Sequence, residues 1–149
     1  MAEPIKIRYT TIPGERSIVV APLKKYPNDA GWDLTTSQST IIPAGHSKDV
    51  STDIRISIPD GYYARIVGRS STLRRHGVLV VEGIIDSGYT GELFVCIRNM
   101  TKKDFYAQRG TRYAQVLFYK VENIEWARVP ASKFKDKERG SHGFGSTGG

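Results

Sequence analysis

The sequence predicts an all-β fold, and three observations carry that expectation. Apolar residues almost never recur at helical spacing. Short alternating or β-branched runs do recur along most of the chain. Turn-forming clusters of glycine, proline, asparagine or aspartate separate most of these runs.

Taken in order, "IKIRY" is a short alternating strand that precedes the breaker "PGER", and "SIVVA" is a β-branched run closed by "YPNDAG". "STII" ends at "PAGH", and the long alternation "KDVSTDIRISI" ends at "PDG". "YYARIV" then leads into "GRSSTLRRHG", the one place where a short helix is expected, over 71–76, with the serines capping its start and Gly77 its end. After it come "GVLVVEGII", the turn "DSGYTG" and "ELFVCIRN". The turn "QRG" and the strand "RYAQVLFYKVENI" follow. Many short strands at near-regular spacing leave sandwich, barrel and jelly roll open.

At 149 residues the chain has the size of one domain plus a tail and can bury a core without disulfides or structural metal. Near Pro130 apolar alternation gives way to lysine-rich and then glycine-rich sequence. That shift divides the chain into a domain over 1–130 and a flexible arm over 131–149. Hydrophobic residues make up 39% and charged residues 25%, as in a water-soluble globular protein, and "VLVV" is too short to cross a bilayer. No signal peptide or membrane anchor is evident. A single cysteine, Cys96 in "LFVCI", forbids an intrachain disulfide and reads as a buried thiol in a reducing compartment. One cysteine and three scattered histidines do not make a zinc site of the usual spacing. The net charge of +7 points to an anionic partner, but charge by itself leaves nucleic acid, nucleotide and no partner equally open.

Five stretches carry groups for chemistry. In "GIIDSGYTGE", Asp86 and Tyr89 lie three apart in a tight loop, with Gly83, Gly88 and Gly91 permitting close backbone approach. Asp86 reads as a general base and Tyr89 as a stacking wall, although an aspartate there also simply bonds its own turn. "GRSSTLRRHG" reads as a phosphate cradle or as an ordinary helix cap. "DAGWDL" holds Asp29 and Asp33, carboxylates suited to magnesium through water or to turn formation. "RGTRYAQVLF" places Arg112 and Gln115 at the start of a strand. The tail "RGSHGFGSTGG" interleaves glycines with Arg139, Ser141, His142, Phe144, Ser146 and Thr147, groups that a phosphorylated, ring-bearing ligand would use.

In this order and spacing, "AGWDL", "GRSS", "GIIDSGYTGE", "GTRYAQ" and "RGSHGFGSTG" resemble the five motifs of the trimeric deoxyuridine triphosphatases, over about 30–148. The resemblance implies a β jelly roll of the β-clip type, assembled as a homotrimer whose active sites draw on all three subunits. It implies Mg2+-assisted hydrolysis of dUTP to dUMP and pyrophosphate, which keeps uracil out of DNA and supplies dUMP for thymidylate synthesis. By the same resemblance Asp86 activates the water that attacks the α-phosphorus and accepts the sugar 3'-hydroxyl. Tyr89 packs under the deoxyribose and leaves no room for a 2'-hydroxyl. Ser70 and the Ser71 amide contact the phosphates, ordered by Arg69 and Gln115, and Asp33 reaches magnesium through water. Backbone groups after Tyr89 read uracil, with Gly83, Ile85, Glu92, Leu93 and Phe94 among the substrate-binding positions. Phe144 stacks on the base, Arg139 grips the γ-phosphate, and Gly145, Ser146 and Thr147 wrap the phosphates as the arm closes. An intracellular place, cytoplasmic or nuclear, follows for a cellular or virus-encoded protein, with no membrane partner and no requirement for nucleic acid.

Four positions depart from the commonest pattern: Ser71 and His142 stand where glycine is usual, Thr111 where aspartate is usual, and Glu82 at a small or apolar position. The first two bear on phosphate-loop geometry and Glu82 on the base pocket. The related deoxycytidine triphosphate deaminases share "GRSSTLRRHG" but carry a catalytic glutamate where this chain has Cys96. A non-catalytic β module binding single-stranded nucleic acid through basic and aromatic groups is a second alternative, and a structural jelly roll, as in capsids or lectins, is a third, though it leaves the phosphate-ready tail unexplained.

Overall fold

A computed structural model describes residues 2–12, 14 and 18–145, and its regular structure is almost entirely β. The described strands are β1 (Arg8–Thr11), β2 (Trp32–Thr35), β3 (Thr40–Ile42), β4 (Ser47–Ser57) and β5 (Tyr62–Gly68). They continue as β6 (Val78–Val80), β7 (Gly83–Ile85), β8 (Glu92–Asn99), β9 (Phe105–Ala107) and β10 (Arg112–Lys120). One helix, α1 (Thr72–His76), and a 3-10 turn (Ala131–Lys133) complete the set.

Period-2 alternation decides which face each strand buries. In β8, Leu93, Val95, Ile97 and Asn99 are buried while Phe94 and Arg98 face outward. The result is a two-sheet jelly roll with strand orders β1-β4-β8-β6 and β2-β10-β5-β7, and a small β3-β9 pair at the side. Leu34, Ile54 and Ile66 fill the space between the sheets with Val95, Ile97 and Val116. Asn99, buried at the end of β8, is satisfied by donating from Nδ2 to the carbonyls of Ile42 and Lys103. It thereby ties the β3 corner to the core at no desolvation penalty.

Several expected elements differ. "SIVVA" forms no strand over its described part, 18–21; it is held through Ile18 N–H donating to the Ser37 carbonyl. "GVLVVEGII" is not one strand but two: β6 pairs β8 and β7 pairs β5, so the chain changes sheets at Val81 and Glu82. "RYAQVLFYKVENI" stops pairing at Lys120. Strands β2 and β9 were not expected, since "WDLT" reads as loop and "FYA" is too short to show a period. Helix α1 spans 72–76, and Gly77 closes it at φ 66°, a left-handed conformation natural to glycine. Its N-cap differs from expectation: Ser71 makes no capping bond, and Thr72 instead donates from Oγ1 to the Tyr113 carbonyl at 2.6 Å.

Candidate functional site

The first cluster forms where β5 runs out. Past Gly68 the chain turns through Arg69, Ser70 and Ser71 into α1, and Arg69 N–H donates to the Tyr113 carbonyl, fixing the turn against β10. On the neighbouring strands Asp33 lies opposite Gln115 in register. The Arg69 Nε and Asp33 Oδ1 atoms are 3.1 Å apart, and Arg112 Nη1 stands 3.7 Å from Oδ2. Gln115 Nε2 donates to the Gly68 carbonyl at 3.1 Å, bracing the base of the same turn. Gly31 of "AGWDL" makes room for that side chain: a Cβ would stand 2.5 Å from Gln115 Oε1 and Gln115 would have to give way. Two guanidiniums against one carboxylate leave an excess positive charge beside the exposed Ser70 hydroxyl, a surface suited to a polyanion. Helix α1 has five residues, so the positive charge of this corner resides in these side chains rather than in a helix dipole.

Ser71 sits at φ −91° and ψ −12°, ordinary helical space, so serine in place of glycine carries no strain. Thr111 is held through its backbone, which exchanges bonds with Thr36. Arg112 joins the cluster although the motif pattern singled out Gln115 as the binding group; its place before an apolar strand was the available signal.

The second cluster is the turn between β7 and β8. Tyr89 N–H donates to the Asp86 carbonyl at 3.0 Å, closing a four-residue turn that leaves the Asp86 carboxylate exposed. The Tyr89 hydroxyl reaches forward to the Glu92 carbonyl at 2.6 Å. That lays the ring flat across Gly91, where a Cβ would meet the hydroxyl oxygen at 2.6 Å. Tyr89 is thus a fixed wall beside Asp86. Gly83 and Ile85 lie on β7, Leu93 is buried, and Phe94 faces out. Burial pushes the Glu92 carboxyl up, with the Asp53 carboxylate beside it adding to the rise and a hydrogen bond from Ser51 opposing it.

Glu82 faces Arg65 in an exposed ion pair rather than the turn, and the bond from Arg65 holds its carboxyl below the usual range. Cys96 is half-buried beside Asp49, not fully buried, and burial pushes its thiol up. It stays protonated and cannot serve as acid or base in place of a glutamate.

One chain does not bring the two clusters together. Ile85 pairs with Ala64 and Gly83 with Ile66, so Asp86 sits at the Tyr63 end of β5 while Arg69 lies beyond the other end. Six residues of strand separate those levels, about 20 Å. The tail is exposed from 131 to 142, with Arg139 Nε donating to the His142 carbonyl. His142 takes part through its backbone, so its side chain leaves the turn's geometry unchanged. Phe144 is fully exposed at φ 50°, and Gly145 follows at φ 85°. Ser146 and Thr147 lie outside the described residues.

Among the described residues no three histidine, cysteine, aspartate or glutamate side chains converge on a metal-sized space. A lone carboxylate such as Asp33, whose Oδ2 has only the 3.7 Å contact to Arg112, fits magnesium that keeps its waters and arrives on phosphates. It does not fit a resident metal cage.

A family model described as dUTPase matches residues 18–148. The chain is 38% identical over 129 residues to the deoxyuridine 5'-triphosphate nucleotidohydrolase of Candida glabrata, covering 87% of this chain and 89% of that one. It is 36% identical over 127 residues to the enzyme of the same name from Paramecium bursaria Chlorella virus 1, covering 85% and 89%. Among solved structures, the dUTPase of Staphylococcus bacteriophage 80alpha with dUPNHPP superposes at a TM-score of 0.84. It covers 96% of this chain and 98% of that one at 22% identity, a likeness of fold. The dUTPase of phage phi11 of S. aureus, described with a structural Mg(II) ion, superposes at 0.75 with 20% identity over 83% of this chain and 96% of its own.

Proposed function

The chain belongs to the dUTPase family and hydrolyses dUTP to dUMP and pyrophosphate, and from that premise we propose which of its residues do so. Asp86 is the general base: exposed at the tip of a closed turn, it takes a proton from the water that attacks the α-phosphorus, and pyrophosphate leaves. Tyr89, laid across Gly91, excludes a 2'-hydroxyl and so ribonucleotides. Backbone groups at the start of β8, with Gly83, Ile85, Glu92, Leu93 and Phe94 around them, read uracil. Cytosine presents the reversed donor and acceptor pattern and leaves polar groups unpaired. Arg69, Ser70, Ser71 and Gln115 hold the triphosphate, and the arm 131–149 folds over it. Arg139 then exchanges its His142 carbonyl for the γ-phosphate, Phe144 finds a stacking partner in the base, and Gly145, Ser146 and Thr147 close on the phosphates. Magnesium, when bound, neutralises phosphate charge, and Asp33 holds it through water.

The observation that carries this reading is the separation of the two clusters in one chain. A substrate that needs both must lie between copies, which supports a homotrimer with shared sites. Residues 121–130 support it as well: they form no strand and expose Ile124 at 73% and Trp126 at 96%. An apolar groove of about 780 Å³, lined in part by Ile5, Ile7, Trp32, Tyr62 and Phe118, opens beside Lys120 where that segment begins. A free, protonated thiol at Cys96 suits the cytoplasm or nucleus. We divide the chain into a catalytic domain over 1–130 and an arm over 131–149.

The test is pyrophosphate release with magnesium across dUTP, dCTP, dTTP and UTP, with products identified. Turnover of dUTP alone to dUMP is expected. Conversion of dCTP would make the deaminase-like "GRSSTLRRHG" the truer guide, and no turnover at all would leave a binding protein.

A further inference from the structure

We infer that Arg55 is a positioning residue for the turn that carries Asp86 and Tyr89, holding it from β4, the strand beside β8, through the Thr90 carbonyl. This rests on the functional reading above for its consequence, though not for its geometry. The turn 86–91 grows out of β7, in the sheet of β2, β5 and β10, and enters β8 in the other sheet. Its own bonds, Tyr89 to Asp86 and Tyr89 to Glu92, are local and leave its outer side unsupported. Arg55, on the strand paired with β8, supplies the outside tie: its Nε donates to the Thr90 carbonyl at 2.7 Å, across 35 positions of chain.

The tie depends on a bulge in β4. Ser51 pairs with Phe94 and Arg55 with Glu92, so three residues, Thr52, Asp53 and Ile54, stand opposite Leu93 alone. Unbroken register would set the Arg55 Cα opposite Thr90 itself; the bulge holds it two residues short, and the guanidinium reaches forward to the carbonyl. The bulge is itself locked. Asp53 takes φ 54°, Thr52 Oγ1 donates to the Leu93 carbonyl at 2.6 Å, and Ile54 N–H donates to Thr52 Oγ1 at 3.3 Å. Arg55 has no carboxylate within ion-pairing distance among the described residues, so its pose is not a by-product of a salt bridge. A charged donor on a neutral carbonyl is stronger than a neutral pair, and donation through Nε fixes the plane of the fork. The tie therefore sets where Tyr89 stands relative to Asp86, and with it how well a 2'-hydroxyl is refused.

The experiment uses the full chain carrying Arg55→Met, which keeps the apolar stem and removes every donor. Hydrogen–deuterium exchange of the free protein is read over 86–92, with β5 and β10 as internal controls. Exchange in the turn is expected to rise about tenfold while the controls and the Tm hold, the signature of a local opening. In parallel the dUTP:UTP ratio of kcat/KM should fall about tenfold, with Arg55→Lys recovering part of both effects. Unchanged exchange in the turn overturns the inference, as does a rise spread equally over the controls. Should Arg55→Met not fold, Arg55→Leu, which also has no donor, decides: wild-type exchange together with wild-type discrimination overturns it. Faster exchange in the turn of a protein that never hydrolysed dUTP keeps the tie and sinks the functional reading; normal hydrolysis with unchanged exchange does the reverse.

Discussion

The turn 86–91 and the tail 134–145, to which we assign groups for one substrate, are built in opposite ways. The turn is closed by its own backbone, has its aromatic ring pinned to the Glu92 carbonyl, and is rooted in the buried Leu93. In the tail, Arg139 donates to the His142 carbonyl three residues on, and the Phe144 side chain is fully exposed. The difference follows the chemistry each must do. A base and a sugar wall work by standing still, so their conformational entropy is given up during folding. In the proposed reading the tail is a lid that orders on binding, and Gly140 and Gly145, at φ 53° and 85°, give it backbone freedom for that.

The change expected to matter most is Asp86→Asn, which preserves shape on the rigid side and removes the base. Turnover of dUTP should fall about 10²–10⁴-fold with the affinity for a non-hydrolysable analogue nearly kept. Near-normal turnover would take the base elsewhere. Next comes deletion of 134–149. If the tail is only a lid, turnover drops about 10²-fold while the thermal melt and the oligomer persist. A melt lowered by many degrees would erase the contrast, because the tail would then be structural.

The smallest effect sharpens the rigid side. Glu92 has its folded carboxyl raised by burial above 4.5, its ordinary value. The folded chain therefore holds that proton more tightly than the unfolded one, and stability is lost as pH climbs through the window above 4.5. Glu92→Gln should thus raise the melting temperature by about 1–3 °C at pH 7. Below the unfolded value the gain should vanish. A gain independent of pH would show that packing, not ionisation, is at issue.

Much of this was legible in the residues. "GIIDSGYTGE" and "RGSHGFGSTG" announce their chemistry because glycine at fixed places has a steric reason, as Gly91 under the Tyr89 ring makes plain. The all-β class was legible too, since β4, β5, β8 and β10 are long enough for a period to show. What stayed hidden depends on contacts between distant strands. The change of sheet at Val81 and Glu82 leaves no local mark, because both halves of "GVLVVEGII" are equally β-forming. Arg55 looks like any outward residue of an alternating strand. Its carbonyl partner and the left-handed Asp53 that places it appear only once β4 meets β8. The distance between Asp86 and Arg69 was hidden for the same reason: motif order along a chain does not say at which end of a strand each motif lies.

The position of β10 has a consequence for how the chain is made. It lies between β2 and β5, so the sheet that frames Asp33 and Gln115 has a gap at its middle until residues 112–120 exist. Until those residues join, β2 and β5 lack their shared neighbour, and such non-local pairing is intrinsically slow to form. The described residues after Lys120 form no further strand, so the strand that completes this sheet is also the last one described along the chain.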